Sequence, residues 1–184
     1  CYNKLEAEII KKIMLEIKNY SEYKDLYNEA EITNDTLEKM GIVSAYKMQV
    51  KEIQKTISGF IPEQILGEMV ASLDSFQGQE RDIIIYSFTK SSNIPPHICR
   101  IGFLKELRRL NVAMSRCKKM LIMIGDYDFL SSCENLGDGP EDPYSEKAFS
   151  RFICNMLKAV KDDNKGEFIT YQQLLNRLEE NKHE

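Results

Sequence analysis

"VASLDSFQGQERDIIIYSF", Val70 to Phe88, is the stretch that decides the fold class. Two short runs with little charge, "VASL" and "DIIIYSF", flank a polar loop that holds Asp74, Ser75, Gln77, Gly78, Gln79, Glu80 and Arg81. Runs of this kind suit strands buried on both faces, as in a parallel sheet. In open α/β sheets ligands collect outside the carboxyl ends of the strands, so the loop after "VASL" is placed to meet one. A Gly-containing polar connection that binds nothing looks the same, and taken alone the loop favours that plainer reading.

Working outward, the pattern repeats. Upstream, "GIVSAY" after Gly41 is a short strand candidate, and the spacing predicts a helix from Lys47 to Ser58 that carries Val50, Ile53 and Ile57 inward. "EMVASL" reads as a strand after the Gly59 and Pro62 breakers. Downstream, "SSNIPPH" is a loop, Leu104 to Ser115 a helix with Leu107, Leu110 and Met114 available for its buried face, and "KMLIMIGD" another buried strand. At the start, Leu5, Ile9, Ile10, Ile13 and Ile17 recur at helical spacing over residues 4 to 18. Strands alternating with helices predict α/β layering. From Tyr20 to Lys39 the chain is polar with weak periodicity.

After an acidic, turn-rich loop, "ENLGDGPEDPY", come two amphipathic helices with Ser145 and Thr170 as candidate caps. We therefore expect residues 1–143 to form one domain and 144–184 a C-terminal helical extension. That tail is either part of the same core or a small appendage.

At 184 residues the chain is long enough for about one domain with its own core. Hydrophobic residues at 42% and charged residues at 29% exclude disorder across the chain. A net charge of -4 gives no global electrostatic footprint for nucleic acid, so any such binding must be local. Cys1, Cys99, Cys117, Cys133 and Cys154 are an odd, widely spaced set without CxxC pairs, which fits a reducing cytosolic setting better than a disulfide framework or zinc site. No apolar run approaches the roughly 18 residues needed to span a bilayer. The chain opens on Cys1 without a signal sequence, and we expect it to be cut from a longer protein.

Two further stretches carry candidate chemistry. In "LRRLNVAMSRCKKMLIMIGD", Arg108 and Arg109 lie a turn or two before Ser115 and Arg116 on the predicted helix. Arginine donates in a fixed fork and stays charged, which suits phosphate contact. Taken alone the row favours a solvated basic face, and for Lys118 and Lys119 that remains the better explanation. In "GIVSAYKMQ" a strand ends in Ser44 and a helix begins near Tyr46, where a hydroxyl and helix-terminal amides can hold a backbone phosphate. Most strand-to-helix turns bind nothing.

Taken in order, "GIVSAYKMQ", "VASLDSFQGQERDIIIYSF" and "LRRLNVAMSRCKKMLIMIGD" resemble motifs IV, V and VI of superfamily 1 helicases, in the branch that includes the nonsense-mediated-decay helicase and senataxin. The resemblance covers about residues 41 to 126. It extends upstream through "NKLEAEII", with Asn3, Glu6 and Ala7, weakens from Tyr20 to Lys39, and ends near Phe129.

The resemblance implies a RecA-like three-layer domain, with a mainly parallel sheet and helices on both faces, plus the C-terminal helices. It is the second of two such domains, with ATP in the cleft between them and single-stranded DNA or RNA crossing both. Arg116 matches the motif VI arginine that reaches the γ-phosphate. Glu80 resembles the motif V glutamate near the ribose, Gln77 and Gly78 shape the same loop, and Arg109 and Asn111 match further motif VI positions, Arg109 being counted with the nucleotide-binding residues. Ser44 and Ser72 match backbone-contacting hydroxyls, and Tyr46, beside Ser44, is expected with them on the nucleic-acid side.

No GxxxxGK[ST] occurs, and no acidic strand motif for magnesium is identifiable. The resemblance thus implies that Mg2+ and the phosphates are held mainly by an N-terminal RecA-like domain of the same protein. This chain alone is then expected neither to hydrolyse ATP at a useful rate nor to unwind a duplex. The competing expectation is a degenerate RecA-like module that acts as a scaffold or binds nucleic acid without ATPase activity.

Overall fold

A computed structural model describes residues 1–33, 35–76, 78, 80–92, 101–132, 145–162 and 166–180. Its centre is a four-stranded sheet in the order β2-β1-β3-β4, with β1 at Met40–Ser44, β2 at Val70–Ser72, β3 at Arg81–Ser87 and β4 at Cys117–Ile124. Every pairing is parallel, and the register sets Ser44 opposite Ser72 on one side and Ser87 on the other.

Alternate side chains of these strands feed two cores, which is why their sequences read as continuous apolar runs. Met40, Ile42, Val70, Ile83 and Ile85 pack beneath α1 (Lys4–Ile17), α3 (Lys47–Ile57) and α4 (Glu63–Met69). Val43, Ala71, Ile84 and Tyr86 face Leu110 and Ala113 of α5 (Leu107–Ser115) together with Phe149 and Ile153 of α7 (Glu146–Asp162). Helices on both faces of a parallel sheet make the three-layer α/β arrangement expected of a RecA-like fold. α7 therefore belongs to the same core, and its Ser150 hydroxyl donates to the Leu130 carbonyl at 2.6 Å. Ser145 and Thr170 cap as expected, through bonds to the N–H of Ala148 and of Gln173 at the start of α8 (Tyr171–Glu180).

The structure corrects several expectations. Only Val70–Ser72 of "EMVASL" is strand; Glu68 and Met69 finish α4, which was not anticipated. Among the described residues β4 is an edge strand, with Met120 54% exposed and Ile124 its one buried residue, so it is not enclosed on both faces. Edge position removes one neighbour, and apolarity of sequence alone does not report that. The predicted helix from Leu104 splits into a 3-10 turn at Gly102–Lys105 followed by α5. On α1 the buried stripe is Glu6, Ala7, Ile10, Met14 and Ile17, while Leu5 is half exposed. The polar stretch after Tyr20 folds into 3-10 turns at Ser21–Tyr27 and Glu29–Glu31 and a short helix α2 at Thr36–Lys39. The acidic loop and nearly all of "SSNIPPH" lie outside the described residues, as do Cys99, Cys133 and Gln77.

Candidate functional site

β1 leads away to β2 on one side and β3 to β4 on the other, so the carboxyl ends of β1 and β3 form the sheet's topological switch point. Ser72, Ser44 and Ser87 stand in register there. Ser44 is completely buried; its hydroxyl shares a hydrogen bond with the Thr89 hydroxyl at 3.0 Å and accepts the Tyr46 N–H at 3.3 Å. Ser72 is only half-buried, its hydroxyl 2.9 Å from that of Ser75. The Lys90 ammonium sits over the Tyr46 ring, 5.5 Å from its centroid.

Arg109, expected on the nucleotide side, is held by Glu106 at 2.8 Å and by Asp74 at 3.7 Å, just past the end of β2. Leu73, Asp74, Arg108, Arg109 and Val112 line a small open pocket at this point. Asn111 is exposed.

From Ser72 the chain crosses the face of β1 and reaches the opposite end of the sheet. Phe76 anchors that crossing: it is 1% exposed and lies so close to Gly41 that a Cβ there would fall within its ring. Gly78 has φ +82, a backbone state that glycine enters without steric cost. Arg81 then lays its guanidinium 5.2 Å from the Phe76 ring centroid, and burial pushes its pKa below the usual arginine range.

The Arg81 N–H donates to the Arg116 carbonyl at 3.0 Å, so the end of the crossing loop is tied to the end of α5. Arg116 has φ -93 and ψ -5, within the right-handed helical range, and closes α5 by donating its N–H to the Ala113 and Met114 carbonyls. Its guanidinium Nε is buried without a hydrogen-bond partner among the described residues. Glu80, next to Arg81 in sequence, is exposed and lies 3.9 Å from Lys118. Lys118 also meets Glu38 at 3.5 Å, and Lys119 pairs with Glu22 at 2.7 Å and Asp82 at 2.9 Å, both lysines remaining about half exposed.

The candidate residues thus fall into two groups at opposite ends of β3, about 20 Å apart for a strand of this length. Gly78, Glu80 and Arg116 are at the amino end; Ser44, Tyr46, Ser72 and Arg109 are at the carboxyl end. Among the described residues no cluster of His, Cys, Asp and Glu is arranged to hold a metal ion. Nor is any described helix long and apolar enough to cross a membrane.

A polar network under the carboxyl end escaped the reading of the sequence. The Glu6 carboxylate accepts the Ser87 hydroxyl at 2.5 Å and the Thr89 N–H at 2.9 Å, while its other oxygen accepts from the Asn3 amide at 3.2 Å. Gln49 donates to the Ser87 hydroxyl at 3.1 Å and accepts the Asn3 N–H at 2.6 Å. Burial raises the Glu6 pKa to about 7 against the Ser87 and Thr89 hydrogen bonds, with Asp126 adding to the rise. Glu6 and Gln49 occupy inward positions of amphipathic helices, one turn before Ile10 and Ile53, and that was the available signal.

Comparison with known proteins agrees with this architecture. The model of a family described as "AAA domain" matches residues 1–128. The chain belongs to the superfamily 1 helicases. Within them it falls in the branch of the nonsense-mediated-decay helicase and senataxin. The DNA polymerase alpha-associated DNA helicase A of Saccharomyces cerevisiae is 31% identical over 134 residues, 73% of this chain and 17% of that protein. Helicase sen1 of Schizosaccharomyces pombe is 28% identical over 145 residues, 78% of this chain and 8% of that protein. An uncharacterised ATP-dependent helicase of Methanocaldococcus jannaschii is 30% identical over 128 residues, 70% of this chain and 16% of that protein. The chain therefore spans less than a fifth of each of these superfamily 1 relatives.

Proposed function

We propose that this chain is the second RecA-like domain of an ATP-dependent helicase that moves on single-stranded DNA or RNA, and that it supplies half of an interdomain nucleotide site. The observation that carries the reading is Arg116: a guanidinium held at the end of α5 by a fixed backbone, with a buried Nε that has no hydrogen-bond partner among the described residues. An unpartnered buried donor is costly, and an anion arriving from outside removes that cost.

In this reading Arg116 reaches the terminal phosphate, Glu80 and the Gly78 turn border the ribose, and Gln77 belongs to the same loop. ATP with Mg2+, held mainly by the first domain of the protein, supplies the free energy of hydrolysis. Arg109 braces the motif V loop through Asp74 and is not assigned to nucleotide. At the far end of β3, Ser72 contacts the strand backbone and Tyr46 offers an aromatic edge, contacts that carry little sequence information. Ser44 supports them from beneath, since its hydroxyl is already engaged. Binding should be largely non-specific and salt-dependent. The half-site lacks a Walker A cradle, so the chain alone neither hydrolyses ATP usefully nor unwinds a duplex.

The test is the ATPase of the complete gene product with and without single-stranded nucleic acid. Turnover that rises with added strand supports the reading; a protein that binds strand without any ATPase is the scaffold instead.

A further inference from the structure

Thr89 has φ +72, the one positive φ at a non-glycine position among the described residues. For a β-branched residue this is an outlier, and such strain persists only where the surroundings over-determine it. The Lys90 N–H donates to the Phe88 carbonyl at 2.8 Å, closing a three-residue turn with Thr89 at its centre, the rare and strained form of γ-turn. What over-determines the turn is visible. Glu6 accepts the Thr89 N–H, Ser44 bonds the Thr89 hydroxyl, and Asp126 accepts both the N–H and the hydroxyl of Ser92 at 2.9 and 2.8 Å. Beyond the turn, Lys90 is 3% exposed and its ammonium lies over the Tyr46 ring.

Glu6 comes from α1, far away in sequence, and is itself 3% exposed. A buried carboxylate that bridges a helix to a strained turn is a poor way to stabilise a fold, because its desolvation opposes the bonds it makes. Its effect is to fix a conformation. We propose that Glu6 is a positioning residue: it clamps the Phe88–Lys90 turn in its strained form and so sets Lys90 against Tyr46, shaping the end of the sheet where single-stranded nucleic acid binds. This rests on the strand-binding role given to Tyr46 above.

The test uses the complete gene product and reads two quantities, the crystal structure of the turn and the strand concentration that half-saturates ATPase stimulation. Glu6→Ala should let Thr89 relax to negative φ and raise the half-saturating concentration on the order of tenfold, as expected when a buried N–H loses its acceptor. Unstimulated turnover should not change. Glu6→Gln keeps a carbonyl acceptor and should stay near the parent in both readouts. Adding Thr89→Gly to Glu6→Ala should recover strand coupling, because glycine holds positive φ without a clamp; a purely structural role for Glu6 would not be rescued this way. An unmoved turn in Glu6→Ala, or loss of coupling that Thr89→Gly fails to restore, overturns the proposal. If Glu6→Ala does not fold, Ser92→Ala combined with Asp126→Asn loosens the same turn from its other side and must give the same rise in half-saturating concentration. Tyr46→Leu separates the two readings: unchanged coupling there removes the strand role of Tyr46, whatever Glu6 does.

Discussion

The backbone N–H of Arg81 donates to the backbone carbonyl of Arg116 at 3.0 Å, joining the loop that carries Glu80 to the residue assigned to phosphate. The bond lies at the amino end of β3 and β4, where Arg81 pairs with Cys117. Since main chain makes the link, side-chain substitutions can test Arg116 without dismantling the loop that supports it.

The loop's other anchor is steric. Gly41→Ala drives a methyl into the Phe76 ring and toward the Arg81 side chain. Overpacking of this kind costs about 1–3 kcal/mol, read as a lower urea midpoint at unchanged slope. Pairing it with Phe76→Leu should recover part of the loss, since the smaller side chain makes room.

Glu6 gives a pH signature with a definite sign. Its folded pKa, about 7, is above the ordinary 4.5, so between those values the native state binds the proton that the unfolded state has released. Stability from this group is fully present below pH 4.5 and is lost as pH rises through 7, by an amount on the order of 3 kcal/mol. Comparing urea unfolding of parent and Glu6→Gln across that range should show the parent losing stability relative to the variant. A constant difference would remove the buried carboxyl as the cause.

Two serines in register should fail differently. Ser72→Ala should weaken strand coupling more than ATP affinity and leave stability nearly unchanged, because the hydroxyl sits at the surface. Ser44→Ala removes a buried partner of the Thr89 hydroxyl and should cost stability of about 1–3 kcal/mol. Equal loss of coupling and nucleotide affinity in Ser72→Ala would argue against its assignment to the strand.

Lys118 and Lys119 are neighbours of Arg116 in sequence yet, among the described residues, pair with the exposed carboxylates Glu38, Glu80 and Glu22 and the half-buried Asp82. Exposed pairs of this sort contribute little. Replacing either with alanine should leave strand-stimulated turnover close to that of the parent, and a collapse comparable to that of an Arg116 variant would mean the nucleotide half-site extends further along β4.

The sequence made the layering legible because strands buried on both faces have no choice but to be apolar, as Ile83–Tyr86 and Ile42–Val43 are. It did not distinguish the edge strand β4, whose apolar residues are the same types with one neighbour fewer. Arg116 and the "FQGQE" loop were legible as motifs. That Arg109 belongs with Asp74 was not, since the pairing depends on where the crossing loop leaves β2. The Glu6 network stayed hidden for a different reason: "NKLEAEII" shows a carboxylate on an inward face but nothing of the turn it holds, and Thr89 is among the last residue types expected at positive φ.

The central claim is that Arg116 completes a nucleotide site from across a domain cleft. Its most direct test is steady-state ATP turnover of the complete gene product carrying Arg116→Ala, measured beside single-strand affinity of the same preparation. The account predicts a fall in turnover of about 10³-fold or more, the scale on which such arginines stabilise transferring phosphate, with strand affinity largely retained. Unchanged turnover at intact strand binding would contradict it.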